Sequence, residues 1–372
     1  MTNGQEAVRS TRPVVRDDLA ALSGYHSPQI DVEVRLNTNE APAPPPAAFS
    51  AAVAARIAEL DWHRYPDRGA AELRGAIGGL YGLPAAQVFC ANGSNEVLQT
   101  VLLTFAGPGR STLTFEPTYA LHSHLSRIAG SATVAVDRRD DFTLDPDDAA
   151  AAVRDNRPAV TFLCSPNNPT GMVEPAETIR AVLAAVTEVG GLLVVDEAYG
   201  EFAPRSAVEL LDEDVPLVVT KTYSKTWAMA AARLGYLLGP AWLVEKLEMV
   251  VLPYHLDAMK QAAGLVALDF VDAMEARVAG IVEERGRLQS TLAQLGCEVW
   301  PSGANFILFR PPAGPLDGHG VWQALVDRSI LVRNTASWEH LDGCLRVTVG
   351  TPEENRRILD ALTDILDASA TA

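Results

Sequence analysis

Three polar clusters follow apolar runs in this chain, and each holds groups able to do acid–base or nucleophilic work. The run LLVVD at 192 ends in Asp196, with Glu197 and Tyr199 close behind. AVTFLC at 159 leads into Ser165-Pro-Asn-Asn168-Pro-Thr-Gly171, and LVVTK at 217 leads into Thr222-Tyr-Ser224-Lys225. Among 30 basic residues only Lys221, Lys225, Lys246 and Lys260 are lysines, so a reaction that needs a primary amine has four candidates. Asp196-Glu197 would also suit the acidic strand end of a nucleotide hydrolase, but the G-x-x-x-x-G-K-[ST] phosphate loop is missing and no Gly-Lys dipeptide occurs. G-x-G-x-x-G is missing too, and GPGRST at 107 precedes a strand instead of joining strand to helix. Taken alone, SPNNPTG is a turn sequence, because Asn, Pro and Gly are the residues turns favour.

The surrounding pattern says what must position these clusters. Helix-like stretches near 48–60, 70–81, 95–106, 174–189 and 241–252 alternate with the runs above and with TLTF at 112, ATVAV at 132 and LGYLLG at 234. Near-continuous apolar strands between helices predict an α/β domain over 46–270 with a mostly parallel sheet covered on both faces. Ligands of such sheets bind beyond the carboxyl ends of the strands, where the three clusters lie. A long helical stretch over 259–295 is followed by strands VW at 299, NFILF at 305, ILVR at 330 and CLRVTV at 344, with helices near 319–328 and 352–367. That texture predicts a smaller α+β domain over 271–372, joined by an N-terminal arm, residues 1–45, that runs into a proline cluster where helix is excluded.

The motifs CSPNNPTG from Cys164, VVDEAYGEF from Val194 and KTYSKTWAMAAARLGY from Lys221 stand in the order and spacing of fold-type-I pyridoxal-phosphate aminotransferases. LNTNEAP at 36, HRYPD at 63, NGSNEVL at 92, NFILF at 305 and LRVTVGTPEEN at 345 resemble the histidinol-phosphate aminotransferase family in particular, and the likeness runs from about residue 20 to the C-terminus. The resemblance implies pyridoxal 5'-phosphate carried by the amine of Lys225, with Asp196 against the pyridine nitrogen, where a nearby anion favours the protonated ring. It implies that Asn168 and Tyr199 hydrogen-bond to the ring hydroxyl oxygen and that Tyr119 stacks on the ring. Gly93, Ser94 and Asn95 at a helix start, with Thr222, Ser224 and Arg233, would cradle the phosphate. Tyr65 would reach that phosphate from a second subunit, which implies a homodimer. Arg333, Arg346, Asn168 and Tyr25 fall to the substrate, whereas His26 is expected to be exposed. The implied reaction transfers an amino group from L-histidinol phosphate to 2-oxoglutarate, giving imidazole acetol phosphate and L-glutamate. Relatives with similar motifs act on aromatic or other amino acids, or decarboxylate phosphothreonine. A cofactor-binding transcription regulator would need a DNA-binding domain before residue 20, for which the chain has no room. Two departures stand out: Trp227, expected to reshape the pocket, and Asp257 with Lys260, expected to form a solvated ion pair.

Composition agrees with an enzyme of small molecules. At 372 residues, 48% hydrophobic and 21% charged, the chain can bury the cores of about two domains. No run reaches secretory or membrane-spanning length, which predicts a soluble cytoplasmic protein. The net charge of −17 disfavours a nucleic-acid surface. Cys90, Cys164, Cys297 and Cys344 lack metal-ligand spacing and are expected as core thiols, with no metal site.

Overall fold

A computed structural model describes residues 13–20, 22, 24 and 29–370 of the chain. Its strands are β1 (Val34–Leu36), β2 (Val88–Ala91), β3 (Ser111–Glu116), β4 (Ala132–Asp137), β5 (Val160–Cys164), β6 (Leu192–Asp196), β7 (Leu217–Thr222), β8 (Gly235–Leu238), β9 (Glu298–Val299), β10 (Phe306–Arg310), β11 (Ile330–Asn334) and β12 (Leu345–Thr348). Seven of them form one sheet in the order β2-β8-β7-β6-β5-β3-β4, in which β8 alone runs antiparallel to its neighbours.

The period-two geometry of a strand explains why this sheet reads as unbroken apolar runs. Leu192 and Val194 of β6 face one core, with Val97, Leu98 and Val101 of the helix Ser94–Phe105, while Leu193 and Val195 face another, with Ile179, Val182 and Val186 of the helix Ala176–Val189. Each such side chain contributes roughly 1.5–3 kcal/mol by leaving water. Helix ends follow local chemistry: Asp145 accepts from the amides of Asp147 and Asp148 to start Pro146–Asn156, and Gly190, at φ 72°, ends Ala176–Val189 in the left-handed conformation glycine tolerates.

The other five strands form a sheet in the order β1-β11-β12-β10-β9, and β1 joins it parallel to β11, Val34 opposite Ile330. The helix Pro352–Ala370 and the end of Val271–Gln294 cover it through Ile358, Leu362, Leu288 and Leu292. The long helical stretch is two helices, Ala258–Leu268 and Val271–Gln294, because the chain turns at Asp269-Phe270. β2 and the helices Leu121–Ile128 and Pro146–Asn156 went unanticipated; β2 has only four residues, and the two helices are polar enough to read as connections. Among the described residues no helix is long and apolar enough to cross a membrane, and all four cysteines are free and buried.

Candidate active site

Parallel strands present their carboxyl ends along one edge, and here the ends of β5, β6 and β7 open on a cavity of about 420 Å³. The arm closes it from one side through Asn37–Glu40, and the small sheet contributes Arg333, Trp338 and Arg346. Lys225, Asp196, Tyr199, Asn168, Tyr119, Ser94, Asn95, Thr222, Ser224 and Arg233 all line it, so residues spread over the chain meet in one space.

Asp196 is 2% exposed at the end of β6. Its Oδ1 accepts from Thr220 Oγ1 at 3.2 Å and the Ala198 amide at 3.1 Å, and its Oδ2 lies 2.9 Å from His122 Nε2. His122, fully buried, stacks on Phe162 at 4.6 Å and meets Tyr119 edge-on at 5.5 Å. Sequence reasoning missed His122. It holds the carboxylate from behind while Asp196 remains on the cavity wall.

The two lysines of the KTYSK segment are separated by environment. Lys221 points away from the cavity into a buried cluster, 2.9 Å from Glu197 and 3.0 Å from Glu201. Burial alone pushes its ammonium down, but the carboxylates of Glu201 and Glu197 more than offset this and hold it above its ordinary value. Lys225 lines the cavity and has no ion pair among the described residues, its Nζ donating to the Thr38 carbonyl at 3.0 Å. Burial, followed by the nearby Arg346 and Arg233 charges, pushes it down to about 8, which favours a neutral nucleophilic amine.

A phosphate-sized cradle stands at one end. Gly93, at φ 81°, turns β2 into the helix Ser94–Phe105, and among the described residues no side chain caps that helix start. A Cβ on Gly93 would lie 2.8 Å from Arg233 Nη2, and one on Gly235 would lie 2.3 Å from the Ser94 amide, so only glycine admits this close approach. Arg233 Nη1 donates to Ser224 Oγ at 3.3 Å, which in turn accepts from Thr222 Oγ1 at 3.0 Å. Free amides, hydroxyls and a guanidinium together fit an oxyanion. Asp196, Tyr119 and the Lys225 amine line the same cavity, and with them the donor set fits pyridoxal 5'-phosphate.

Arg346, 6% exposed, donates to Asn168 Oδ1 and to the Asn37 carbonyl at 3.1 Å, and Arg333 lies over the Trp338 ring at 5.2 Å. Tyr65 does not line this cavity; it is 80% exposed and stacked on Tyr254 at 4.5 Å. Tyr25 and His26 lie outside the described residues. The expectation for Trp227 fails: it is packed in the core on Tyr223 at 5.4 Å and lines no part of this cavity, because the chain turns after Lys225 and carries the indole away. Asp257 and Lys260 are paired at 2.6 Å with partial exposure, and Asp257 also caps the helix Ala258–Leu268 through the Lys260 amide at 2.9 Å.

The sequence matches the aminotransferase class I and II family over residues 32–362. It is 44% identical over 356 residues to the histidinol-phosphate aminotransferase of Thermobifida fusca, covering 94% of each chain. It is 43% identical over 367 residues to that of Frankia casuarinae, covering 95% of this chain and 91% of the other. In fold it is similar to the histidinol-phosphate aminotransferase of Sinorhizobium meliloti, solved in complex with pyridoxal-5'-phosphate, with a TM-score of 0.85 at 24% identity and 98% and 99% of the chains covered. Joined to a cavity-lining amine of lowered basicity, a buried carboxylate on the same cavity and an oxyanion cradle, these likenesses establish that the chain belongs to the class I and II aminotransferases, enzymes dependent on pyridoxal 5'-phosphate.

Proposed function

We propose that the protein transfers the amino group of L-histidinol phosphate to 2-oxoglutarate. The observation that carries this reading is the pair of arginines, Arg333 and Arg346, on the cavity wall contributed by the small sheet, in a chain whose relatives at 40–44% identity are histidinol-phosphate aminotransferases. Planar guanidinium forks suit both a phosphate monoester and a carboxylate, so the same pair can receive the donor in one half-reaction and the 2-oxo acid in the other.

Bound pyridoxal phosphate supplies an electron sink for the pair left on the donor carbon when its proton is removed. Lys225 Nζ would hold the cofactor, and the amine, once free, would take the proton from the donor carbon. Its lowered basicity leaves far more neutral amine near neutral pH than an ordinary lysine has. Asp196, kept in place by His122 and Thr220, would hold the proton on the pyridine nitrogen. Asn168 and Tyr199 would donate to the ring oxygen, Tyr119 would stack on the ring, and Gly93, Ser94, Asn95, Thr222, Ser224 and Arg233 would hold the phosphate. Tyr25 of the arm is assigned to the substrate by the family resemblance alone.

A second copy completes the site in this reading. Tyr65 is exposed and absent from its own chain's cavity, as a side chain serving a partner's phosphate would be.

The test is a single-turnover titration of cofactor-loaded protein, following the cofactor's visible absorbance on separate addition of L-histidinol phosphate, glutamate, phenylalanine and phosphothreonine. Rapid conversion by histidinol phosphate and by glutamate is expected. Conversion by phenylalanine but not histidinol phosphate would assign the aromatic alternative, and loss of carbon dioxide from phosphothreonine would assign the decarboxylase.

A further inference from the structure

Asn39 is 2% exposed and sits at φ 55°, a left-handed conformation that asparagine tolerates better than most residues. Every polar group it has is engaged. Its amide N–H donates to Thr348 Oγ1 at 2.9 Å, its carbonyl accepts from Asn305 Nδ2 at 3.1 Å, its Oδ1 accepts from Thr348 Oγ1 at 3.2 Å, and its Nδ2 donates to Tyr199 Oη at 2.9 Å. The side-chain amide could turn over only if the Thr348 hydroxyl accepted twice, and among the described residues that hydroxyl has no acceptor other than Asn39 Oδ1. Burying a hydroxyl proton with no acceptor is costly, so Nδ2 faces Tyr199.

A phenol has one proton to give. Because Tyr199 Oη accepts from Asn39, and among the described residues no protein group accepts from it, its proton is directed at the cavity it lines. The ring cannot swing away: it is 5% exposed and packed edge-on against Phe306 at 5.0 Å. Burial also pushes the phenol up to about 12, which keeps the proton on it.

We propose that Asn39 is a positioning residue that fixes the direction of the Tyr199 hydroxyl, making it a donor to the cofactor's ring oxygen and coupling the cofactor to the small sheet through Thr348 and Asn305. This rests on the proposed placement of Tyr199 beside that oxygen. A donor there stabilises the oxygen's anionic form, so it lowers the pH at which the bound cofactor's visible absorbance titrates. Turning the hydroxyl round removes that stabilisation.

The test is Asn39→Asp, which is nearly isosteric and tolerates the same φ. It keeps an acceptor for Thr348 but offers Tyr199 a second acceptor in place of a donor. The measurement is the pH midpoint of the cofactor absorbance without substrate, for the parent, Asn39→Asp, Tyr199→Phe and the double variant. Tyr199→Phe should raise the midpoint by about one to two pH units, the scale of one hydrogen bond to a charged group. Asn39→Asp should raise it by at least as much. The excess of its shift in the parent over its shift in the Tyr199→Phe background should be about one unit, since a direct charge effect operates in both. Equal shifts in the two backgrounds would overturn the proposal, as would a midpoint unmoved by Asn39→Asp when Tyr199→Phe moves it. An unmoved midpoint in Tyr199→Phe would overturn the placement of Tyr199 and this inference with it. Asn39→Gly, which also accepts a left-handed backbone, serves if the Asp variant does not fold. Its loss of the donor should raise the midpoint, and a parental value would count against the proposal.

Discussion

Replacing Lys221 by methionine separates the two lysines that lie four positions apart. The Lys221 ammonium is 3% exposed between Glu197 at 2.9 Å and Glu201 at 3.0 Å, so the variant leaves two carboxylates facing a methyl group. Removing one partner of a buried pair costs about 3–5 kcal/mol, because the remaining charge stays desolvated. Two features put the cost near the lower end. Glu197 keeps hydrogen bonds from Ser206 Oγ at 2.6 Å and the Ala207 amide at 2.5 Å, and the Glu201 side chain is 17% exposed and can recruit water. A loss of about 3 kcal/mol, roughly 150-fold in the unfolding equilibrium, is expected at neutral pH. The folded-state basicity of Lys221 is raised, so this contribution is fully present below its ordinary value of 10.5 and is lost only as pH climbs beyond that. Urea unfolding at fixed protein concentration reads the loss, and adding Glu201→Gln should restore part of it. The same Lys221→Met protein should still hold its cofactor through gel filtration with unchanged visible absorbance, whereas Lys225→Ala should lose the covalent attachment. Unaltered stability in Lys221→Met, or loss of its covalent cofactor, would refute the division of labour drawn from the geometry.

Arg346→Ala should raise KM for anionic substrates more than tenfold, on the scale of about 1.5–3 kcal/mol for a charged hydrogen bond, and steady-state kinetics with glutamate and histidinol phosphate would check it. Capture of pyridoxal phosphate by cofactor-free protein needs the neutral Lys225 amine, so stopped-flow rates should rise with pH through a midpoint near 8, and not near the ordinary 10.5. Gly235→Ala would press a methyl group to 2.3 Å from the Ser94 amide and 2.5 Å from the Gly93 carbonyl carbon. That pushes the cradle open, and equilibrium dialysis should show cofactor affinity reduced by at least tenfold, about 1.4 kcal/mol, as expected for losing one good phosphate contact.

Most of the site could be read from sequence because strand-end chemistry is local. Asp196, Asn168 and the Thr222–Lys225 segment each end or closely follow a buried strand, so finding the strands placed the groups. The divergent environments of Lys221 and Lys225 were not readable: alternation puts residues four apart on the same face and so cannot separate them, and the carboxylates that claim Lys221 come from the turn after another strand. His122 was hidden in LHSHLSRI, where nothing distinguishes it from His124 until the fold sets its Nε2 against Asp196, 74 residues away. Asn39 was hidden for the same reason, with partners 160, 266 and 309 residues distant. Trp227 misled because proximity to Lys225 along the chain was taken for proximity in space, and a turn of a few residues undid it.

The pairing of β1 with β11 also constrains how the protein is born. The Glu33 amide bonds to Ser329 Oγ across 296 residues of chain, so the arm leaves the ribosome long before the strand that receives it. At about 5–20 residues per second the wait is roughly 15–60 s, during which β1 has an open edge and no neighbour. Contacts of such separation also fold slowly once available. A chain interrupted before β11 would lack Arg333, Trp338 and Arg346 and would leave Asn37–Glu40 without their anchor, so a partial product of translation that stops short of β12 cannot assemble the whole cavity. Shielding the waiting arm until then is a task for chaperones or for the sheet that folds beside it.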